Sequence, residues 1–185
     1  MTTAISPTTE TTVWTIDPVH STAEFKVKHM MITNVKGQFK DVKGTLEFDR
    51  ADVTKSKITA TIEAASIDTR NADRDAHLKS ADFFDVENFP TLSFTSTRIT
   101  EAGAGELQVE GDLTIRGVTR QVVFEVEGPT EPGVDPWGNT RIGWSATTKI
   151  NRKDYGLTWN AALETGGILV GDEVTITLDV QAVKS

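Results

Sequence analysis

Three histidines, His20, His29 and His77, are the side chains of this sequence best suited to metal binding or proton transfer near neutral pH. His20 and His29 have opposite parity in an extended segment, and no HExxH or comparable ligand spacing occurs. Asp17, His20 and Ser21 supply the residue types of a hydrolytic triad, but residues so close in an extended segment cannot converge in that geometry. We therefore expect no metal site and no catalytic residue, and a local hydrogen-bonding role for His20.

Basic side chains form a second candidate group. On a predicted helix, Arg70, Arg74 and His77 fall at positions i, i+4 and i+7, so they share one face. Such a face could receive an anionic group, or it could be a solvated surface that pairs with nearby aspartates. Arg152 and His29, each at the end of a predicted strand, are further candidates for an anionic group.

The pattern that must position these groups is an alternation of side-chain character. Apolar and polar residues interleave near both ends of the chain, in residues 21–28 and 174–182. Because a strand sends successive side chains to opposite faces, this period of two predicts strands with one dry and one wet face. Its recurrence indicates an antiparallel sheet. We expect a mainly β fold, a single antiparallel eight-stranded barrel, with a two-sheet sandwich as the main rival.

Nine segments alternate clearly enough to be predicted as strands. They cover residues 13–17, 20–29, 35–48, 58–64, 91–99, 107–115, 118–127, 141–150 and 174–182. Within 35–48 the apolar parity slips by one residue, which predicts a bulge or bend inside one long strand. We expect a flexible tail over residues 1–12 and one barrel domain over 13–185.

One insertion interrupts the strands. Residues 71–80 lack β-branched side chains and predict a short helix with Thr69 or Asn71 as its cap, within a helical insertion around 69–84. Three phenylalanines follow the predicted helix: Phe83, Phe84 and Phe89. They could plug one end of the barrel or form a lid over an apolar pocket.

Composition excludes several classes of protein. The chain has 185 residues, 37% hydrophobic and 25% charged, and a formal charge of −8, which is the wrong sign for nucleic acid. No apolar run approaches the roughly 20 residues of a membrane span, so we expect no stable membrane insertion. There is no cysteine, hence no disulfide. Residues 1–12 lack the basic and apolar regions of a secretory signal, so we expect a cytoplasmic protein.

The apolar parity, if it faces inward, mixes large and small side chains. Phe25, Phe94 and Trp144 would wall the interior, whereas Gly111 and Ala146 would leave gaps. An eight-stranded barrel is either filled by its own side chains or wide enough for one small ligand. Residue volumes alone leave both alternatives open, a dry cavity and a solid core.

The sequence resembles the YceI-like family of polyisoprenoid-binding proteins from about Trp14 to Ala182. The order and spacing of several short motifs carry the resemblance. They are WTIDPVHS (14–21) with Phe25 and His29, GQF (37–39), Gly44, SIDT (66–69), HLKSADFFD (77–85), PTLSF (90–94), GDLTIRG (111–117), WG (137–138), NR (151–152) and YG (155–156).

The resemblance implies a lipocalin-like barrel whose elongated apolar pocket binds a long-chain isoprenoid lipid, of the prenyl quinone or prenyl phosphate type. It implies carriage, storage or sequestration without catalysis and without a cofactor. The predicted contacts to the hydrocarbon chain are Phe25, Val27, Phe39, Ile58, Ile62, Leu78, Phe83, Phe84, Phe94, Leu113, Phe124, Trp144 and Ala146. The predicted contacts to a head group are His29, Arg74, His77 and Arg152.

Two other functions are compatible with the residues. The protein could be an enzyme acting on a lipid-like substrate, with His29, His77 or Arg152 at the mouth of the pocket. It could also be a ligand-free, stress-related structural module with a filled barrel. A homodimer is compatible with the sequence, although no residue pattern demands one.

Overall fold

The computed structural model describes residues 10–185, which fold into one antiparallel sheet and a short helix. Twelve strands are formed within these residues. They are β1 (Thr12–Ile16), β2 (Thr22–His29), β3 (Thr33–Phe39), β4 (Val42–Phe48), β5 (Lys57–Glu63), β6 (Ile67–Asp68), β7 (Thr91–Gly103), β8 (Glu106–Ile115), β9 (Val118–Glu127), β10 (Gly133–Val134), β11 (Thr140–Asn151) and β12 (Val170–Lys184). The helix is α1 (Ala72–Lys79). The predicted tail falls mostly on residues 1–9, which lie outside the described part, and Thr12 already belongs to β1.

The sheet closes into a barrel because β11 pairs with β12 as well as with β9. β2 pairs with the first part of β12 and β1 with its last residues, so β1 and β2 together occupy one strand position in the wall. β3 pairs with β2 and β4 pairs with β1, so β3 and β4 together occupy the next position. With β5, β7, β8, β9, β11 and β12, the wall has eight strands. The predicted eight-stranded antiparallel barrel is confirmed, and the rival sandwich is not formed.

The predicted single strand over 35–48 is wrong. The structure contains two strands, which Lys40 and Asp41 separate. Phe39 and Val42 are both buried although their parity differs, so the slip in the pattern marks this break. Because β3 pairs with β2 while β4 pairs with β1 and β5, the break is a corner where the wall bends.

The predicted helix is present, with Asn71 as its N-cap: the Asn71 side chain accepts a hydrogen bond from the backbone N–H of Arg74. The predicted basic face is only partly correct. Arg70 precedes the helix and has a left-handed backbone with φ of 62°, so only Arg74 and His77 share the helical face. No side chain of α1 is fully buried.

The two ends of the barrel differ in what covers them. We call the end with the β2–β3 turn, α1 and the start of β12 the helix end, and the end where β1 begins and β12 finishes the terminal end. Five buried side chains form a compact core toward the terminal end: Trp14, Leu46, Phe48, Ile142 and Ala182. No helix in residues 10–185 is long and apolar enough to cross a membrane.

Candidate ligand-binding site

The interior of the barrel contains a cavity of about 350 Å³. This volume lies at the lower end of the range of about 300–1,000 Å³ for small-molecule sites. The inward side chains of β12 from Val174 to Val180 line the cavity, and six residue steps span about 20 Å along a strand. The cavity is therefore narrow and elongated, a shape that suits a single extended chain.

All thirteen predicted chain contacts line this cavity. They are Phe25, Val27, Phe39, Ile58, Ile62, Leu78, Phe83, Phe84, Phe94, Leu113, Phe124, Trp144 and Ala146. Strand residues of one parity face the interior, whereas Leu78, Phe83 and Phe84 reach it from α1 and the turns that follow. The wall is thus assembled from almost every strand and from the helical insertion.

Two glycines explain how large rings fit beside an open cavity. A Cβ atom on Gly37 would lie 2.3 Å from Cζ of Phe25, and one on Gly111 would lie 2.4 Å from Cζ of Phe94. Each ring therefore lies against a glycine backbone of a neighbouring strand. The gap that the sequence predicts at Gly111 is filled by this ring, and the empty volume lies elsewhere in the barrel.

Polar side chains line the cavity mainly at the helix end, where Arg74 and His77 of α1 and His29 of β2 border it. Nε of Arg74 donates to Oγ1 of Thr69 at 2.8 Å, and Nη2 donates to the Thr69 carbonyl at 2.7 Å. Among residues 10–185, Nη1 of this guanidinium has no such partner, so it can donate to a guest.

The His77 ring closes part of the same mouth. Its Nε2 lies 2.9 Å from Oδ2 of Asp82. The ring also packs edge-on against Phe83 and Trp159, with centroid distances of 5.1 and 4.7 Å. This carboxylate and the two aromatic rings fix the orientation of the imidazole at the mouth.

Arg152, the fourth predicted head-group residue, lines the cavity but has a different environment. Its side chain is 4% exposed. It donates to backbone carbonyls of the segment 157–171, namely those of Leu157, Trp159, Val170 and Gly171, at 2.6 to 3.2 Å. Burial lowers the pKa of this guanidinium, and Asp172 opposes that change. These contacts use most of its donors, so Arg152 shapes the mouth by holding a loop.

Sequence reasoning missed part of the loop that Arg152 holds. Leu157, Trp159 and Leu169 lie outside the long strands, yet all three line the cavity. The available signal was the one used for Phe83 and Phe84, namely that large apolar side chains in an irregular segment must be buried somewhere.

The remaining polar cluster lies toward the terminal end, away from the cavity. Nη1 of Arg141 donates to Asp17 and Nε donates to Asp135, each at 2.7 Å. His20 lies 2.9 Å from Asp17, which gives it the predicted local role, while Ser21 bonds to the backbone of Gln181. Hydrogen bonds from Arg141 and then His20 lower the pKa of Asp17 to about 2, and Arg141 also lowers the pKa of Asp135.

Metal chemistry has no evident centre in the described residues. Across residues 10–185, no three histidine, aspartate or glutamate side chains are grouped so that they could hold a metal ion. The cavity itself combines an apolar wall with cationic and imidazole groups at the helix end.

Comparison with known proteins agrees with this architecture. The family model for the YceI-like domain matches residues 14–182. A UPF0312 protein of Staphylococcus epidermidis is 43% identical over 165 residues, which are 88% of this chain and 92% of the relative.

Two solved structures show the same fold. Burkholderia cenocepacia BcnA has a TM-score of 0.76 at 24% identity, covering 90% of this chain and 98% of its own. A polyisoprenoid binding domain from Saccharophagus degradans, described as implicated in plant cell wall breakdown, has a TM-score of 0.67 at 14% identity. That match covers 95% of this chain and all of the domain.

Proposed function

The chain belongs to the YceI-like family, and we propose that it binds a long-chain isoprenoid lipid in its barrel cavity. The lipid is of the prenyl quinone or prenyl phosphate type, and the protein carries, stores or sequesters it without catalysing a reaction. The observation that carries this proposal is the elongated apolar cavity, which Arg74, His29 and His77 border at the helix end. The polyisoprenoid-binding description of the Saccharophagus degradans neighbour supports the same ligand class.

The apolar lining of the cavity accounts for the proposed free energy of binding. Burial of an apolar chain contributes about 0.8 kcal/mol per methylene group, from which the cost of association is subtracted. A ligand of several isoprene units can therefore bind well with few polar contacts. Branched, flat isoprene units also suit a wall that combines Phe39, Phe94 and Phe124 with the aliphatic side chains of β12.

The proposed orientation follows from charge. A quinone carbonyl or a phosphate oxygen at the helix end can accept hydrogen bonds from Nη1 of Arg74 and from the imidazole of His29 or His77. The hydrocarbon chain then extends toward Phe48 near the terminal end. A cytoplasmic location and a homodimer stay predictions from the sequence.

The first experiment measures how binding depends on chain length. Trp144 and Trp159 line the cavity, so a bound quinone should quench their fluorescence. We expect each added isoprene unit to strengthen binding by at least about tenfold until the cavity is filled, after which affinity levels off. Tail-free quinones that bind as tightly as prenylated ones would contradict the proposal, as would a lack of quenching by any chain length.

The second experiment blocks the cavity. Ala146 is 4% exposed and lines the cavity in β11. Ala146→Phe should abolish quenching by prenyl quinones, at a cost of about 1–3 kcal/mol in the free energy of unfolding. Thr147→Phe is the matched control, because Thr147 is the next residue of the same strand and is exposed. Equal ligand affinity in the two variants would place the ligand outside the barrel.

A further inference from the structure

The turn between β2 and β3 exposes three consecutive apolar side chains at the helix end. Met30 is 41% exposed, Met31 64% and Ile32 73%. Ile168, in the neighbouring loop, is also exposed, and Met31 lies beside Gly167 of that loop. Single exposed apolar residues are ordinary, but a contiguous exposed group commonly marks an interaction surface.

The backbone of this turn is unfavourable for the residues it contains. Met30 and Met31 have φ angles of 52° and 60°, and the N–H of Ile32 donates to the carbonyl of His29. Turns with two left-handed residues favour Asn and Gly, since the Cβ atom of other L-residues lies too close to the following carbonyl oxygen there. The methionine side chains are thus present in a turn where Asn-Gly would be both more stable and more soluble.

The turn lies directly at the mouth of the cavity. His29, at its start, lines the cavity, and the N–H of Met30 donates to the carbonyl of Leu169, another lining residue. A surface that Met31 and Ile32 contact therefore lies next to the mouth.

Lysines extend from this turn along the outer face of the hairpin. Lys26, Lys28 and Lys36 are exposed, and Lys26 is the direct cross-strand partner of Lys36. Like charges in that arrangement repel each other, and none of the three forms an ion pair with residues 10–185. A lysine on an edge strand can simply block strand pairing, but Lys26 and Lys28 belong to β2, which is flanked by β3 and β12.

We propose that the β2–β3 hairpin docks this protein on an anionic lipid bilayer. Met31 and Ile32 insert at the interface while Lys26, Lys28 and Lys36 face lipid phosphates, so the cavity mouth opens onto the membrane. The proposal rests on the proposed function, because docking serves uptake and delivery of a membrane lipid. Apolar insertion combined with basic side chains is how interfacial segments bind anionic membranes.

A second exposed apolar patch at the terminal end provides a contrast. Val134 is 74% and Trp137 82% exposed. They flank the acidic Asp135, and neither lines the cavity. This patch lies at the end of the barrel opposite the mouth, and the Asp135 carboxylate beside it is 8% exposed and paired with Arg141. Val134 therefore serves as a control residue of matched exposure.

The test is flotation of the protein with vesicles of phosphatidylcholine alone or mixed with phosphatidylglycerol. We expect binding to the mixed vesicles that weakens as salt increases. The variant Met31→Asn with Ile32→Ser should bind about tenfold more weakly, while Val134→Ser binds like the wild type. Asn tolerates the left-handed backbone at position 31, so this variant should keep the melting temperature of the parent.

A charge series tests the lysines separately. Lys26→Gln with Lys36→Gln should weaken binding by about fivefold per lysine without loss of stability, since a repulsive pair is removed. The same change at Lys57 and Lys184, which are exposed at the terminal end, should leave binding unchanged. Equal losses in both pairs would overturn the proposal, because they would reflect net charge alone.

Three further results would overturn docking. One is a wild-type protein that fails to float with mixed vesicles. Another is preference for pure phosphatidylcholine. The third is a dimer in solution that Ile32→Ser disperses, which would make the hairpin a protein interface. Quenching by detergent-dispersed prenyl quinone separates the two proposals. If flotation fails while quenching is intact, only docking is contradicted. If quenching fails while flotation is intact, the lipid-binding function is contradicted.

Discussion

The two ends of the barrel are each organised by one arginine, and the two arginines work differently. At the terminal end, Arg141 is 22% exposed and donates to the carboxylates of Asp17 and Asp135. At the helix end, Arg152 is 4% exposed and donates to four backbone carbonyls. Arg141 joins the start of the β2 region to the β10–β11 turn through side chains, whereas Arg152 fixes the main chain of a loop.

This difference indicates which part of the mouth can move. The carbonyl groups of the loop accept hydrogen bonds from the buried guanidinium of Arg152. If this loop opened, the carbonyl groups and the guanidinium would both lose their partners. The α1 side is held by side-chain hydrogen bonds of Arg74 to Thr69 and of His77 to Asp82, and no α1 side chain is fully buried. We therefore expect a ligand to enter past α1 and the phenylalanines that follow it.

The largest effect should come from removing the buried arginine. Arg152→Met leaves carbonyl groups of Leu157, Trp159 and Gly171 without donors, and we expect a loss of about 3–5 kcal/mol in the free energy of unfolding, measured by urea denaturation. Arg152→Lys keeps the charge but reaches fewer carbonyls, so its loss should be intermediate. If Arg152→Met were as stable as the wild type, the loop would not depend on this side chain.

A smaller loss is expected at the other end. Arg141→Gln leaves Asp17 and Asp135 without their shared cation, but Asp17 keeps His20 and Asp135 keeps the N–H groups of Trp137 and Asn139. We therefore expect a cost of about 1–2 kcal/mol. Quenching by prenyl quinones should be unchanged, because Arg141 does not line the cavity. If Arg141→Gln lost more ligand affinity than Arg152→Met, the ligand-binding mouth would lie at the terminal end, which would contradict the proposal.

The strands and the cavity wall could largely be predicted from the sequence, because the period of two assigns each side chain to a face without reference to its neighbours. All thirteen predicted apolar contacts consequently line the cavity. The existence of the cavity could not be predicted. It depends on rings such as Phe25 and Phe94 lying against Gly37 and Gly111, which is a matter of register between strands.

The structural role of Arg152 could not be predicted for a different reason. Its acceptors are backbone carbonyls up to 19 residues away, and carbonyl groups leave no trace in a sequence pattern. The basic face of α1 was overestimated because the helix begins at Ala72, so the left-handed Arg70 lies outside it. Helix starts depend on which of several capping residues is used, here Asn71 instead of Thr69.

The mouth can be probed through the head group. Arg74→Gln removes a cation that borders the cavity while Thr69 retains its bond to Asp75. We expect binding of a prenyl phosphate to weaken by about tenfold and binding of the matching prenyl alcohol to change little. Competition against a quenching prenyl quinone measures both. Equal losses for the two ligands would show that Arg74 supports the cavity wall or α1 and does not bind the phosphate charge.

The smallest expected effect is the pH dependence of stability, which should differ between the sites of Arg141 and Arg152. Arg141, followed by His20, lowers the pKa of Asp17 from 3.8 to about 2. Because the unfolded chain takes up this proton first as the pH falls, the stabilisation is complete above about pH 5 and is lost toward pH 2. Asp17→Asn should thus be less stable than the wild type by about 1 kcal/mol at neutral pH, and the difference should vanish over that window in urea denaturation.

The matching measurement at the helix end should show no such window. The acceptors of Arg152 are carbonyl groups that do not titrate, so the deficit of Arg152→Met should be the same at pH 7 and at pH 3. A deficit that shrinks in acid would mean that Asp172, 3.8 Å from Arg152, contributes more than the backbone does. A deficit of Asp17→Asn that is already gone at pH 5 would remove the ion pair with Arg141 as its origin. One pair of variants thus measures the contrast between an arginine whose acceptors titrate and an arginine whose acceptors do not.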